Sequence, residues 1–368
     1  VRTAAVRTAA VRTAWHEESM RAAARRNVGK GVQVHALPPP YSPSAPGMSP
    51  PDRPAADSLE PFLTLTGPTA VGKTELSVEL AEQMGAEIIS ADSRQVYREI
   101  NIGTATPSEA LQERVPHHFI NERSLHEPFS AGGFAEAANE RIRAILDRGR
   151  VPLIVGGSTL YIHALQEGLA DIPDVDDAVR ERLEARLERE GAESLYEELR
   201  EIDPTQAEKN DPTKTHRVLR ALEVYHGTGK TLTHYHENQP EPPFSYVTVV
   251  LHRDRSTLYD RINRRVDQML DQGLLDEVRR VMEMEDVDLD EPPLSTIGYR
   301  EPIQFLRGEI DREEMIRLVK RNTRRYAKRQ LTWFRRYDHY HWREAPATSA
   351  DDLLSIWRDA AASGGAST

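Results

Sequence analysis

A phosphate-binding motif, TGPTAVGKTE, begins at Thr66 and has the spacing G-x-x-x-x-G-K-T. Gly67 and Gly72 allow the backbone to curl, so that successive N–H groups face an anion. Lys73 adds a positive charge, and the Thr74 hydroxyl can ligate magnesium. The motif lies between an apolar run and a helical pattern, which is the context that such a loop needs. It predicts a bound phosphate or diphosphate that is transferred, hydrolysed or released.

An acidic residue follows the next apolar run. Asp92 stands directly after EIIS, whereas VPLIVGG and YVTVVLH are not followed at once by an acid. A kinase or NTPase with this loop usually has an acid after an apolar strand to hold magnesium. Asp92 is therefore a candidate helix cap, magnesium ligand or catalytic group, and the residues alone leave these roles open.

A basic run lies near the other end of the chain. RLVKRNTRRYAKRQLTWFRR, residues 317–336, carries nine Lys and Arg residues and no acid. Such a run is typical of a surface that contacts a phosphate backbone, although a solvated helix is the alternative. Helical spacing predicts one broad basic face, formed by Arg317, Lys320, Arg321, Arg324 and Lys328.

The elements that position these residues alternate between strand and helix. From Phe62 onward, short apolar runs alternate with helical patterns, which indicates a parallel sheet covered on both faces. Further helices are predicted at about 255–284, 311–336 and 350–361. Between 173 and 236 the strands vanish and the pattern is helical and highly charged. The predicted fold class is α/β, a P-loop NTPase-like parallel sheet with helices on both faces and an inserted all-helical domain.

The domain boundaries follow from shifts in composition. The exact repeat VRTAA-VRTAA-VRTAW and the Pro/Ser-rich stretch after it have no period that could bury an apolar face. We predict that residues 1–57 are a disordered extension, with Met48 as a candidate for the authentic start. The other predicted boundaries are 58–172 and 237–345 for the P-loop α/β catalytic core, 173–236 for the helical insertion, and 346–368 for a C-terminal helix and tail.

The composition excludes several classes of protein. The chain has 368 residues, is 38% hydrophobic and contains no cysteine, so disulfides and cysteine-ligated zinc are excluded. No apolar run is long enough to span a membrane, and a cytoplasmic location is expected. The formal net charge of −11 argues against a uniformly basic nucleic-acid binder but not against one local basic face.

With these motifs in order, the chain resembles the bacterial tRNA dimethylallyltransferases, also called tRNA isopentenyltransferases. The resemblance runs from Phe62 to Trp342 and rests on many segments in one order. In three places the chain departs from the family pattern: Thr106 stands where Lys is common, Ser158 stands where Thr is common, and the segment NDPTKTHR differs from the usual HPND-type sequence. The segments are GPTAVGKTELS, EIISADSRQVYREINIGTATP, VPHHF, FSAGGF, VPLIVGGSTLYIHAL, HRVLRALEVYHGTGKTL, DRINRRVDQML, STIGYRE and TRRYAKRQLTWFRR.

The resemblance implies transfer of a dimethylallyl group from dimethylallyl diphosphate to the exocyclic amine of the adenosine 3′ of the anticodon. The loop then holds a diphosphate that leaves, with Mg²⁺ as cofactor. An aromatic amine becomes acidic as its nitrogen bonds to carbon, so a nearby carboxylate should take the proton, and this role falls to Asp92. The implied partners are dimethylallyl diphosphate and a tRNA anticodon stem-loop. We expect a monomer.

Site residues carried over from the family fall into three groups. Asp92 and Thr69 are the catalytic candidates, and Thr74 is the metal ligand. Diphosphate is expected to contact Gly67, Pro68, Thr69, Ala70, Val71, Gly72, Lys73, Thr74 and Arg265. The residues expected to contact tRNA are Asp92, Ser93, Arg94, Gln95, Ser158, His216, Arg217, Val218, Leu219, Arg220, Ser295, Thr296, Ile297, Gly298, Tyr299 and Arg300.

Three other classes of function compete with this interpretation. A P-loop small-molecule kinase would need nucleoside triphosphate turnover, and the lack of a second strand ending in an acid disfavours it. An adenylate isopentenyltransferase would perform the same chemistry on a free nucleotide, whereas the basic run and the helical insertion favour a polynucleotide. A non-catalytic RNA-binding protein would have no use for the phosphate loop together with Asp92.

Overall fold

The computed structural model describes residues 60–364, so the predicted disorder of residues 1–57 lies outside the described residues. In this part of the chain six parallel strands form one sheet in the order β3-β2-β4-β1-β5-β6. The predicted α/β class with a parallel sheet is therefore confirmed. The strands are β1 (Phe62–Thr66), β2 (Ala86–Ala91), β3 (His117–His118), β4 (Val151–Gly156), β5 (Tyr246–His252) and β6 (His341–Glu344).

Helices cover the sheet on both faces. The first group along the chain is α1 (Lys73–Met84), α2 (Glu109–Arg114), α3 (Ala131–Asp147) and α4 (Thr159–Gln166). A second group is α5 (Asp177–Ile202), α6 (Pro204–Glu208), α7 (Thr215–Thr228) and α8 (Leu232–Glu237). The last group is α9 (Arg255–Asp271), α10 (Leu274–Met282), α11 (Arg300–Leu306), α12 (Arg312–Phe334) and α13 (Ala350–Gly364).

Alternate residues of each strand enter different hydrophobic cores. Ile89 and Val250 belong to a cluster with Phe134 of α3, whereas Ile88 and Val249 belong to a cluster with Val78 of α1. This alternation follows from the period of two in a β-strand. Because both faces are covered, the four central strands β2, β4, β1 and β5 are largely buried and apolar, as expected for a parallel sheet.

Helices α5–α8 have a hydrophobic cluster of their own, which includes Leu183, Leu199 and Leu222. The long helix α5 is kinked at Gly191, whose φ is +84°. None of the helices within residues 60–364 is long and apolar enough to cross a membrane.

Three features differ from the sequence-based expectation. The helix predicted over 255–284 is two helices, because Gly273 adopts φ +96° and a left-handed residue ends a helix. Strands β3 and β6 were not predicted. β3 has only two residues, and β6, HWRE, is a polar edge strand without an apolar run.

All strands run in the same direction, so their carboxyl ends lie at one edge of the sheet. The phosphate loop follows β1, Asp92 follows β2, Gly157 follows β4 and Arg253 follows β5. Register places Ala91 and Thr66 each opposite Gly156. Ligands bind at this edge in α/β sheets, so four chain segments are brought to one location there.

Candidate active site at the carboxyl edge of the sheet

The phosphate loop adopts the curled conformation that its glycines allow. Gly67 has φ +144°, and a Cβ at that position would lie 2.5 Å from the Leu251 carbonyl oxygen. Gly72 has φ +109° and caps the N-terminus of α1. The Lys73 ammonium donates to the carbonyl oxygens of Gly67 at 2.9 Å and Pro68 at 3.1 Å. The loop therefore surrounds a site where amide groups at a helix N-terminus can bind an anion.

Two cations lie at this site without a carboxylate ion pair in the described part of the chain. Burial and the neighbouring Arg265 lower the pKa of Lys73 to about 8, and Asp92 opposes this shift. Burial likewise lowers the pKa of Arg265, although Asp92 partly offsets the effect. A bound anion would relieve the repulsion between the two cations, so the electrostatics of the site favour diphosphate.

Contacts from distant parts of the chain hold the loop in place. The Thr69 amide donates to Gln330 Oε1 at 3.0 Å, and Gln330 Nε2 donates to the Gly157 carbonyl at 2.7 Å. Arg253 donates to the Val71 carbonyl at 2.7 Å, and Arg261 donates to the Ala70 carbonyl at 2.8 Å. Sequence reasoning missed Gln330, Arg253 and Arg261. Gln330 in particular stands in the basic run, where nothing in the pattern distinguishes it from solvent-facing residues.

Asp92 caps the turn that follows β2. Its Oδ1 accepts hydrogen bonds from the amides of Arg94 at 2.9 Å and Gln95 at 3.3 Å. Within residues 60–364 the other carboxylate oxygen, Oδ2, has no hydrogen-bond partner. Capping thus occupies one oxygen and leaves the second for a ligand, so the capping role and a chemical role are compatible.

Two cavities meet at this edge. The larger one, of about 950 Å³, is lined by the phosphate loop from Thr69 to Thr74 and by three arginines of α9, Arg261, Arg264 and Arg265. The smaller one, of about 480 Å³, is lined by Ser93, Arg94, Ser158 and the turn from Thr296 to Tyr299. Seven residues line both cavities: Thr69, Ala70, Asp92, Thr104, Arg265, Met269 and Tyr326. A molecule in either cavity can therefore reach Thr69, Asp92 and Arg265.

The residues expected to contact tRNA are divided between two places. The Ser93 amide donates to the Ser158 hydroxyl at 2.9 Å, which joins the turn after β2 to the loop after β4. Gln95 lines only the larger cavity. Ser295 and Arg300 flank the turn at the smaller cavity, outside its lining.

The segment from His216 to Arg220 lies elsewhere, on α7, outside both cavities. Val218 is buried in the α5–α8 cluster with 2% of its surface exposed, so it supports the helix rather than offering a surface. Arg220 pairs with Glu223 at 2.6 Å. Arg217 is exposed and has no ion pair among the described residues.

The basic face of α12 is less uniform than helical spacing predicts. Arg317 pairs with Glu314 at 2.6 Å, and Lys320 pairs with Asp267 at 2.6 Å. Arg324 donates to Asn263 Oδ1 at 2.6 Å. The exposed cations of this helix that have no ion pair in the described part of the chain are Arg312, at its first residue, and Arg325, Lys328 and Arg329 within the basic run.

Two buried carboxylates support the site, and neither was identified from the sequence. Glu277 accepts the Tyr299 hydroxyl at 2.6 Å, together with three backbone amides. Glu301 accepts the Gly298 amide at 2.9 Å and the Asn322 side chain at 2.7 Å. Both glutamates lie in charged helical stretches where burial is not apparent from the pattern.

The fold and the site together define an α/β protein with a phosphate loop. Its anion-binding site is lined by cationic side chains and opens onto a second cavity. The model of the IPP transferase family matches residues 95–337, more than half of the chain, and this protein belongs to that family. The resemblance seen in the sequence is thereby confirmed.

Its relatives are similar over nearly their whole length. The tRNA dimethylallyltransferase of Salinibacter ruber is 71% identical over 304 residues, which cover 83% of this chain and 94% of the relative. The tRNA dimethylallyltransferase of Chlorobaculum parvum is 44% identical over 301 residues, which cover 80% of this chain and 95% of the relative.

Solved structures agree with this assignment. The full-length tRNA isopentenylpyrophosphate transferase of Bacillus halodurans has 38% identity and a TM-score of 0.61, with 83% of this chain and 98% of that chain covered. The structure of a eukaryotic dimethylallyltransferase acting on tRNA has 27% identity and a TM-score of 0.67, and the match covers 83% of this chain and 77% of that chain.

Proposed function

We propose that this protein transfers a dimethylallyl group from dimethylallyl diphosphate to the exocyclic amine of the adenosine 3′ of the anticodon in tRNA. The observation that carries the proposal is the common wall of the two cavities, which includes Thr69, Asp92 and Arg265. The larger cavity contains the anion site and suits the diphosphate donor. The smaller cavity contains Ser93, Arg94 and Ser158 and suits the acceptor base.

The chemistry then takes place at the common wall. The amine nitrogen bonds to C1 of the dimethylallyl group, the C1–O bond breaks, and diphosphate leaves with the negative charge. The loop amides, Lys73 and Arg265 stabilise that charge as it develops. Oδ2 of Asp92 accepts the amine proton, which becomes acidic as the nitrogen bonds to carbon. The Thr69 hydroxyl positions the base or the diphosphate.

A magnesium ion fits the donors at this site. Thr74 offers a hydroxyl and Asp92 a carboxylate beside the larger cavity, and Mg²⁺ commonly binds one or two carboxylates together with substrate phosphates. Within residues 60–364 no cluster of three or more His, Asp or Glu side chains could hold a metal on its own. When bound, the ion would neutralise negative charge on the leaving diphosphate.

The tRNA is recognised at the smaller cavity and at exposed cations. An adenine in a single-stranded loop leaves its stack at a cost of about a few kcal/mol, so an anticodon loop is favoured over a duplex. We expect Arg217 on α7 and the exposed cations of α12 to contact phosphates of the tRNA.

Labelled dimethylallyl diphosphate and unmodified tRNA provide the direct test. We expect label in the adenosine next to the anticodon and one diphosphate released per transfer. AMP in place of tRNA distinguishes an adenylate isopentenyltransferase, and ATP in place of dimethylallyl diphosphate distinguishes a small-molecule kinase. Labelled AMP with unlabelled tRNA, or phosphoryl transfer from ATP, would contradict the proposal.

A further inference from the structure

Glu277 lines neither cavity, yet it joins chain segments that line both. Its side chain, in the first turn of α10, is only 3% exposed. Its Oε2 accepts the amides of Asn101 at 2.9 Å and Ile102 at 2.8 Å. Its Oε1 accepts the Gly103 amide at 3.1 Å and the Tyr299 hydroxyl at 2.6 Å. No Lys or Arg pairs with it in the described part of the chain.

The segments held by Glu277 form parts of both cavity walls. Within residues 101–106, Gly103 lines the smaller cavity, Thr104 lines both cavities, and the other four residues line the larger one. Tyr299 lines the smaller cavity, and its ring lies so close to Gly103 that a Cβ there would meet it at 2.5 Å. One carboxylate therefore fixes the loop and the turn against each other.

Burying a carboxylate without a cation is costly, and here hydrogen bonds alone offset that cost. Loss of the acceptor would leave partly buried amide donors unpaired, so the loop would have to move to satisfy them. Residues Thr104 and Ala105 would move with it, and their carbonyls accept the side-chain amide of Gln95 at 3.2 and 3.3 Å. Small displacements of this kind matter because bond formation requires closely aligned reactants.

We propose that Glu277 is a positioning residue that keeps the cavity walls together so that the acceptor amine, rather than water, reaches the reactive carbon. This inference rests on the proposed transfer reaction. In the side reaction, water oxygen bonds to C1, the C1–O bond to diphosphate breaks, and a proton passes to solvent. The products are a five-carbon alcohol and diphosphate.

The partition between transfer and hydrolysis tests this role. Glu277→Gln preserves shape, but its amide NH₂ would face backbone donors. With dimethylallyl diphosphate and unmodified tRNA, prenylated adenosine and released diphosphate are both quantified below the unfolding temperature of each variant. We expect nearly one prenyl group per diphosphate in the unmodified protein. In Glu277→Gln we expect transfer to be slower by ~10–100-fold, with excess diphosphate released.

Asp203→Asn is the matched control. Asp203 is also a buried carboxylate that is held by hydrogen bonds and lines neither cavity; its partners are the Gln206 and Thr233 amides and the Thr233 hydroxyl. This variant should lose stability without releasing excess diphosphate, because a smaller folded fraction lowers both products equally.

Tyr299→Phe removes a single hydrogen-bond donor to Glu277 and keeps the ring. This variant therefore tests the positioning role if Glu277→Gln does not fold. An intermediate excess of diphosphate is expected. An unchanged ratio of the two products in the folded variants would overturn the positioning role. If the unmodified protein forms no prenylated adenosine, the proposed function itself fails.

Discussion

Cations at the sheet edge and cations on helices α5–α8 have opposite environments. At the edge, Lys73 and Arg265 are partly buried and have no ion pair among the described residues. On the helices, Arg180 pairs with Glu184 at 3.0 Å, and Arg200 pairs with Glu197 at 2.9 Å. Exposed pairs of this kind contribute little to stability, because water screens the two charges.

The difference shows how the same residue type serves two purposes. A cation paired on an exposed helix has its charge balanced by a neighbour and mainly keeps the surface hydrated. A partly buried cation without such a neighbour is left to an external anion, here the diphosphate. Substitution of the cations at the sheet edge should therefore lower the rate of transfer. Substitution of the cations on helices α5–α8 should change at most the affinity for tRNA.

The largest effect is expected at Asp92. Asp92→Asn keeps the shape but removes the base, so the transfer rate should fall by ~10²–10⁴-fold while tRNA affinity is nearly intact. Single-turnover kinetics and tRNA binding measure the two quantities. If added magnesium restores most of the activity, Asp92 is chiefly a metal ligand. Near-normal turnover of a stable Asp92→Asn variant would show that Asp92 acts only as a helix cap.

Lys73→Ala should come next in size. Removing a preorganised donor to a developing anion typically lowers the rate by about 10²–10³-fold, so transfer should fall by that factor. Affinity for tRNA should stay unchanged, because Lys73 lies in the larger cavity. The separate dissociation constants of dimethylallyl diphosphate and tRNA check this, and poor tRNA binding with normal diphosphate binding would reverse our placement of the two substrates.

Helix α12 allows paired and unpaired cations to be compared within one element. Replacing Arg325, Lys328 and Arg329 with Gln should reduce the slope of log affinity against log salt by roughly two to three, at about 0.7–0.9 per phosphate contact. Replacing Arg317 and Lys320, which already pair with acids, is the control and should change the slope less. Equal slopes in both variants would make α12 an ordinary solvated helix.

The pH dependence of diphosphate binding tests whether the unpaired Lys73 at the sheet edge binds the anion. The pKa of Lys73 is lowered to about 8 in the free protein, so its charge is lost as pH rises through that value. A bound anion favours the charged form, so binding takes up a proton. Affinity should therefore weaken above about pH 8, by at most about tenfold per pH unit. Titration calorimetry at several pH values measures the affinity for diphosphate. In Lys73→Arg the affinity should no longer depend on pH in this range.

The smallest effect is expected on α7. Arg217→Gln should lower the salt slope of tRNA binding by about one, because this exposed arginine has no acidic partner in the described part of the chain. Arg220→Gln should lower it less, since Arg220 is paired with Glu223. A larger effect from Arg220 than from Arg217 would show that the pair opens on binding.

The sequence alone determined the features that depend on neighbouring residues. The phosphate loop is local, because its glycines and amide groups act within a few residues of one another. The position of Asp92 at the sheet edge followed from the strand before it. Asp92 as the base and Thr74 as a metal ligand stay predictions, as do the boundaries of the domains.

Only the tertiary structure decided which distant residues support the loop and which cations remain unpaired. Gln330 contacts Thr69 across 261 positions of the chain, and Glu277 contacts Ile102 across 175. No periodicity in either segment encodes such a contact, since it depends on how helices α10 and α12 pack on the sheet. For the same reason, helical spacing placed Lys320 on the basic face but could not show that Asp267 of another helix neutralises it.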